Sequence, residues 1–117
     1  AYLSEMSDFD LALTVASTII SRPAPERAVL DIGRKSISSE AGLPQVFSPD
    51  GARLDRLNEE HGVLGLEPSA QNLRIGDQVH LFPMTAATTI NIHDYYFCVR
   101  DGILEDVVPV AARGRFW

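Results

Sequence analysis

The side chains able to do chemistry in this chain are few and scattered. There are three histidines, His61, His80 and His93, and one cysteine, Cys98. Zinc ligands come in closely spaced pairs that converge on one ion, and no pair among these histidines has that spacing. His93 and Asp94 are adjacent, so in extended backbone they face opposite ways, and His93 is read as a hydrogen-bonded structural histidine. His61, in Glu59-Glu60-His61-Gly62, is read as a salt-bridge or interface residue. His80, alternating within Val79–Leu81, is read as solvent-facing. Cys98 lies in an aromatic, strand-like run and is expected to be a buried, inert thiol; as the only cysteine it makes no intrachain disulfide. There is no Gly-x-Ser-x-Gly, no glycine-rich phosphate loop and no local Cys/His arrangement, which removes the usual nucleophile and phosphate templates. What remains is the run from Met84 to Asp94, rich in small and hydroxylated residues, followed by Tyr95 and Tyr96. Such residues at the mouth of a β-structure suit hydrogen bonds to a small ligand, and they equally compose an ordinary connecting loop.

The elements that position this run are extended ones. Val79, Leu81 and Phe82 form a strand that ends at Pro83, which has no N–H to give a ladder. Tyr95–Arg100 and Ile103–Val110 flank Asp101-Gly102, a strong hairpin signal because the tight turn needs positive φ. Leu11–Ser21 is crowded with Thr, Val and Ile in both parities, which predicts a long strand buried on both faces, stopped by Arg22-Pro23 and a turn at Pro23-Ala24-Pro25. Arg27–Ile32 is a short apolar strand. After Gly33 the chain is irregular to Pro44, with Ser38 or Ser39 able to cap a helical turn. Gln45–Phe47 pairs briefly before the turn Ser48-Pro49-Asp50-Gly51, with Pro at its second position and Gly at its fourth. Ala52–Leu57 fits a half-exposed strand or, equally, a helical turn. Glu67–Asn72 reads as a loop, Arg74-Ile75-Gly76-Asp77 as a tight turn before a strand, and residues 1–10 as a lead-in or linker to a domain over 11–117.

Composition narrows the function classes. A chain of 117 residues makes one domain with its own core, and frequent Pro and Gly suit many short strands. The net charge is −6 and the ten basic residues are spread out, which argues against nucleic acid, since phosphate binding needs a concentrated basic surface. No apolar run approaches the ~20 residues of a membrane-spanning helix, and no signal peptide is visible; a cytoplasmic location is expected.

Pro83, Thr88-Thr89, Asn91, His93-Asp94, Tyr95-Tyr96 and Arg100-Asp101-Gly102 together resemble the signature region of one domain. It is the C-terminal domain shared by D-threonine aldolases and eukaryotic-type D-serine dehydratases, which are pyridoxal-phosphate (PLP) enzymes of alanine-racemase-like fold. Ser21-Arg22-Pro23, Asp31-x-Gly33-x-Lys35, Gly42-x-Pro44, Glu59-Glu60-His61-Gly62 and Ala112-Arg113-Gly114-Arg115 extend the likeness over nearly the whole chain. The resemblance implies a mostly β fold, a small barrel-like domain of about eight or nine short strands. It also implies a role as C-terminal domain or subunit of a lyase acting on small D- or 3-hydroxy amino acids. That domain closes the active site against a separate PLP-binding barrel, in an assembly expected to be dimeric. The chain departs from the family at the metal site, where Thr85 stands in place of His and Ala87 in place of Cys or Asp. Alanine cannot ligate and a neutral threonine is a poor lone ligand, so a divalent metal is not expected. The only lysine, Lys35, belongs to the small-domain pattern and is not the Schiff-base residue that PLP chemistry requires. The chain alone is therefore expected to hold no PLP and no catalytic residue. Thr85, Thr88 and Tyr95 are the expected substrate-facing side chains, a core or interface role being the alternative for the tyrosine. The other function class is a non-catalytic β-domain of the same descent, used for protein interaction or small-ligand binding.

Overall fold

The computed structural model describes residues 11–114; the lead-in over 1–10 and the end of the tail, with Arg115, lie outside the described residues. Eight strands, one 3-10 turn and one short α-helix follow in order: β1 (Val15–Ala24), β2 (Arg27–Leu30), β3 (Gln45–Ser48), β4 (Ala52–Leu57), β5 (Gly62–Leu66), the 3-10 turn Pro68–Ala70, β6 (Gln78–Phe82), α1 (Ala86–Ile90), β7 (Tyr95–Arg100) and β8 (Ile103–Pro109). The first six make one antiparallel sheet in the order β3-β6-β1-β2-β5-β4. Its two end strands approach each other across the Ser48–Gly51 turn, so the sheet curls into a nearly closed barrel. The mostly β, barrel-like fold read from the sequence is the observed one.

A small closed sheet has one interior, and alternate residues enter it. Ile19 from β1, Ala28 and Leu30 from β2, Leu54 and Leu57 from β4, Leu64 and Leu66 from β5, and Val79 and Leu81 from β6 form the core, capped by Ile32, Ile37 and Ala70. The expectation that β1 is buried on both faces therefore fails: Ser17 and Ile19 turn inward, while Ile20 is 43% exposed. Nor does the strand stop at Pro23. The β1–β2 register shifts between Ser21 and Ala24, and Pro23 sits in that irregularity, where no ladder N–H is required; the turn is at Pro25-Glu26. The ambiguity over Ala52–Leu57 has a similar cause. Leu54 and Leu57 are three apart, a helical spacing, yet both point inward because a register shift between Leu54 and Arg56 inserts one residue.

The irregular segment after β2 is clamped to the β4–β5 connection. The Arg34 and Lys35 amides donate to the Asn58 and Glu59 carbonyls at 2.8 and 3.1 Å, and Arg34–Glu59 and Lys35–Glu60 pair by charge above them. Lys35 donates to Glu60 Oε1 at 2.9 Å. That hydrogen bond, and then the opposite charge, hold the Glu60 carboxyl below its ordinary range and the Lys35 ammonium above its own. Glu60's contribution to stability is present above pH 4.5 and lost as pH falls through its lowered value; Lys35's is present below pH 10.5 and lost as pH rises through its raised value. Lys35→Met is thus expected to leave the neutral plateau of a melting-temperature–pH profile almost unchanged, because the pair is fully exposed. The difference from wild type should shrink at the two extremes and in high salt.

Candidate functional site

The Met84–Asp94 run is not a plain loop. Thr85 is extended (φ −129°, ψ 118°) and Ala86–Ile90 forms a single helical stretch ending at Asn91. The strand-like spacing that would bring side chains 85 and 87 to one face is therefore absent: Thr85 is half-buried before the helix and Ala87 is exposed on it. Thr88 is exposed as well. The threonine that turns inward is Thr89, 2% exposed, whose Oγ1 accepts the Ser38 amide at 2.9 Å. His93 donates through Nε2 to the Ser36 carbonyl at 2.6 Å, as expected of a structural histidine. Thr89 and His93 thus pin the run to the Ser36–Ser38 segment. Thr89→Val would leave the Ser38 N–H without its partner, an expected loss of about 1–3 kcal/mol. Denaturant unfolding checks this, with Thr89→Ser expected to retain most of the stability.

Beyond the run, β7 and β8 form a separate two-stranded sheet. Asp101 (φ 51°) and Gly102 (φ 76°) give the paired left-handed residues of a type I′ turn, which the Asp-Gly pair foretells. Across the ladder, directly opposed residues share a face. Tyr95 with Pro109, Phe97 with Val107 and Val99 with Leu104 make one wholly apolar face; Tyr96 with Val108, Cys98 with Asp106 and Arg100 with Ile103 make a mixed one. Glu105 is the extra residue of a bulge between these pairs, and it ion-pairs with Arg100. Cys98 is exposed, not buried, because the hairpin packs neither face into the barrel core.

Between the hairpin's apolar face and the outside of the barrel lies a cleft of about 600 Å³. Tyr95, Phe97 and Val99 form one wall; Leu11–Ala16, Phe47 and His80 form the other; Thr89, Ile90 and His93 form the floor. His80 is half-buried here, with Nδ1 3.5 Å from Thr14 Oγ1, and so does not simply face solvent. The sequence pattern missed this because the outer side of β6 is covered by the segment preceding β1. Among the described residues, no Asp, Glu, Lys or Arg lines the cleft. Of the expected substrate-facing residues, Tyr95 is in its wall and Thr85 and Thr88 are not. Among the described residues no group of three His, Cys, Asp or Glu side chains could hold a metal ion.

Three comparisons place the domain. A family model described as "Putative serine dehydratase domain" matches residues 12–99. The chain is 42% identical over 106 residues to a D-threonine aldolase from Arthrobacter sp., covering 91% of this chain and 28% of that protein. It superposes on the crystal structure of D-threonine aldolase from Filomicrobium marinum with a TM-score of 0.87 at 31% identity, over 94% of this chain and 30% of that one. The chain thus spans under a third of these aldolases. An uncharacterized protein of Mycobacterium tuberculosis differs in this respect: 32% identical over 122 residues, it is covered to 92% of its length. With three-quarters of its length matched by the family model, the chain belongs to the serine dehydratase domain family.

Proposed function

We propose that this chain is the C-terminal domain or subunit of a PLP-dependent lyase, an aldolase or dehydratase acting on small D- or 3-hydroxy amino acids, that closes the active site against a separate PLP-binding barrel. One observation carries the reading: the chain is nearly all matched by a D-threonine aldolase, of which it makes up only 28%. Its own residues do not fit the cofactor. Lys35 is exposed, ion-paired with Glu60 and outside the cleft, so no lysine is placed to form a Schiff base. Among the described residues the cleft lining offers no Lys or Arg to pair with a phosphate or an amino-acid carboxylate, whose burial without a counter-charge costs several kcal/mol. The metal positions do not fit either, with a neutral hydroxyl at Thr85 and a methyl at Ala87. Cofactor and substrate charge are then left to the barrel. This chain contributes neutral surface around Thr85, Thr88 and Tyr95, and two copies meet in the full assembly.

The test is the intact mass of protein purified from its native host, under denaturing and native conditions, with a visible absorbance scan. A second, larger polypeptide segment or subunit together with an internal-aldimine absorbance band supports the lyase reading. A single colourless species of this chain alone supports the second reading, a freestanding non-catalytic β-domain. That second reading is favoured by the mycobacterial relative, nearly all of which is this domain.

A further inference from the structure

The donor atoms of the Met84–Asp94 run are already committed to the protein itself. Thr89 Oγ1 accepts the Ser38 amide, and Asn91 Oδ1 accepts the Gly114 amide at 2.9 Å. His93 donates to the Ser36 carbonyl at 2.6 Å, and Asp94 pairs with Arg113 at 2.7 Å. These ties run to two separate places, the Ser36–Ser38 segment and the Arg113–Gly114 turn, so they fix the shape of the run without drawing its side chains toward one point. His93 keeps a second ring nitrogen, but a single imidazole falls short of the ligand sets that hold divalent transition ions.

The positions left untied are the two at which the resembled enzymes carry their metal ligands. Thr85 makes no side-chain bond to cap α1, and Ala87 ends in a methyl group. Mn²⁺, Co²⁺ and Zn²⁺ are held by imidazole, thiolate or carboxylate, and a neutral hydroxyl beside a methyl supplies none of these. A replacement from a neighbouring element is missing as well. Among the described residues no three His, Cys, Asp or Glu side chains converge, and Cys98 stands opposite Asp106 on the hairpin's mixed face, with Asp94 at the hairpin's other end held by Arg113. The family's metal site and this chain's donor set therefore disagree. We infer that this domain brings no divalent ion to the site it closes, and that the lyase it completes works without the metal used by the resembled enzymes. The activity in that statement rests on the lyase reading; the metal rests on this chain's own side chains.

The purified chain tests the metal directly, because an ion that binds only the folded state raises the melting temperature. At about 1 mM Mn²⁺ or Co²⁺, a site with a Kd of about 10 μM would raise it by roughly 10 °C. The melting temperature in either ion is expected to stay within about 2 °C of that in EDTA, and a larger rise overturns the inference. Protein purified from its native host is the second measurement. Elemental analysis is expected to find metal far below one equivalent per chain. Where the PLP-binding partner is present, kcat/KM is expected to change by less than about two-fold on dialysis against EDTA. One equivalent of metal per chain, or a larger loss on chelation that added Mn²⁺ or Co²⁺ restores, overturns the inference. A native preparation with neither partner nor colour ends the lyase reading, and the melting and elemental results still decide the metal. Bound metal in a coloured, active preparation ends the metal inference and leaves the lyase reading standing.

Discussion

Gly33→Ala is expected to cost about 3 kcal/mol, among the larger effects of adding one methyl group. A Cβ at Gly33 would lie 2.4 Å from the Glu59 carbonyl carbon and oxygen and from the Glu60 nitrogen. The obstacle is backbone, so no rotamer change relieves it. The segment after β2 and the β4–β5 connection must separate, and the paired amides of Arg34 and Lys35 lose their acceptors with them. Gly76→Ala is the control. Gly76 has φ +97° but nothing within 4 Å of an added Cβ, so its cost is conformational strain alone, about 1 kcal/mol. Urea midpoints of the two variants separate close approach from strain; a Gly33→Ala midpoint no lower than that of Gly76→Ala would refute the clamp.

Leu64→Ala is expected to cost about 2–5 kcal/mol. Leu64 has no exposed surface and stands on β5 opposite Ala28 of β2 and Leu54 of β4. Its neighbours are held in ladders on both sides, so the barrel wall cannot collapse into the space left behind. Against a total stability of roughly 5–15 kcal/mol for a domain of this kind, the loss is a large fraction. Calorimetry should show a lower melting temperature with cooperative unfolding retained. Leu104→Ala, on the exposed hairpin face, is expected to change the isolated chain's stability by less than about 0.5 kcal/mol.

The two expected costs draw on parts of the chain that were not equally legible in the sequence. Strands whose ends carry turn chemistry were plain: Asp101-Gly102 fixed the hairpin and Pro83 fixed the end of β6. At bulges one strand reading erred and another stayed open between strand and helical turn. Pro23 looked like a stop because a proline cannot continue a regular ladder, and Leu54-x-x-Leu57 looked partly helical because the inserted residue is invisible to a period-2 test. The site was less legible than the fold. Thr89 and Thr88 are neighbours of one type, and which of them turns inward depends on a five-residue helix too short to show a period. Cys98 was placed wrongly because an apolar strand was assumed to lie on the core, and the hairpin lies off it; His80 was placed wrongly because the segment before β1 covers the outer side of β6. The proposed enzyme class comes from the family resemblance, and no arrangement of the described residues displays it.

The pairing of β1 with β6 has a consequence for synthesis. Ser17 and Val79, joined at 2.7 Å, are 62 residues apart, while the β1–β2 and β4–β5 pairs close within short turns. A chain leaving the ribosome can form those two hairpins early and pair them through β2 and β5. The open edge of β1 must then wait, unpaired, for β6, and an unpaired edge invites pairing with another chain. The hairpin with the largest apolar exposure emerges later still. Nascent molecules of this domain are therefore exposed to chaperones and to one another through two different surfaces in turn, first a strand edge and then an apolar face.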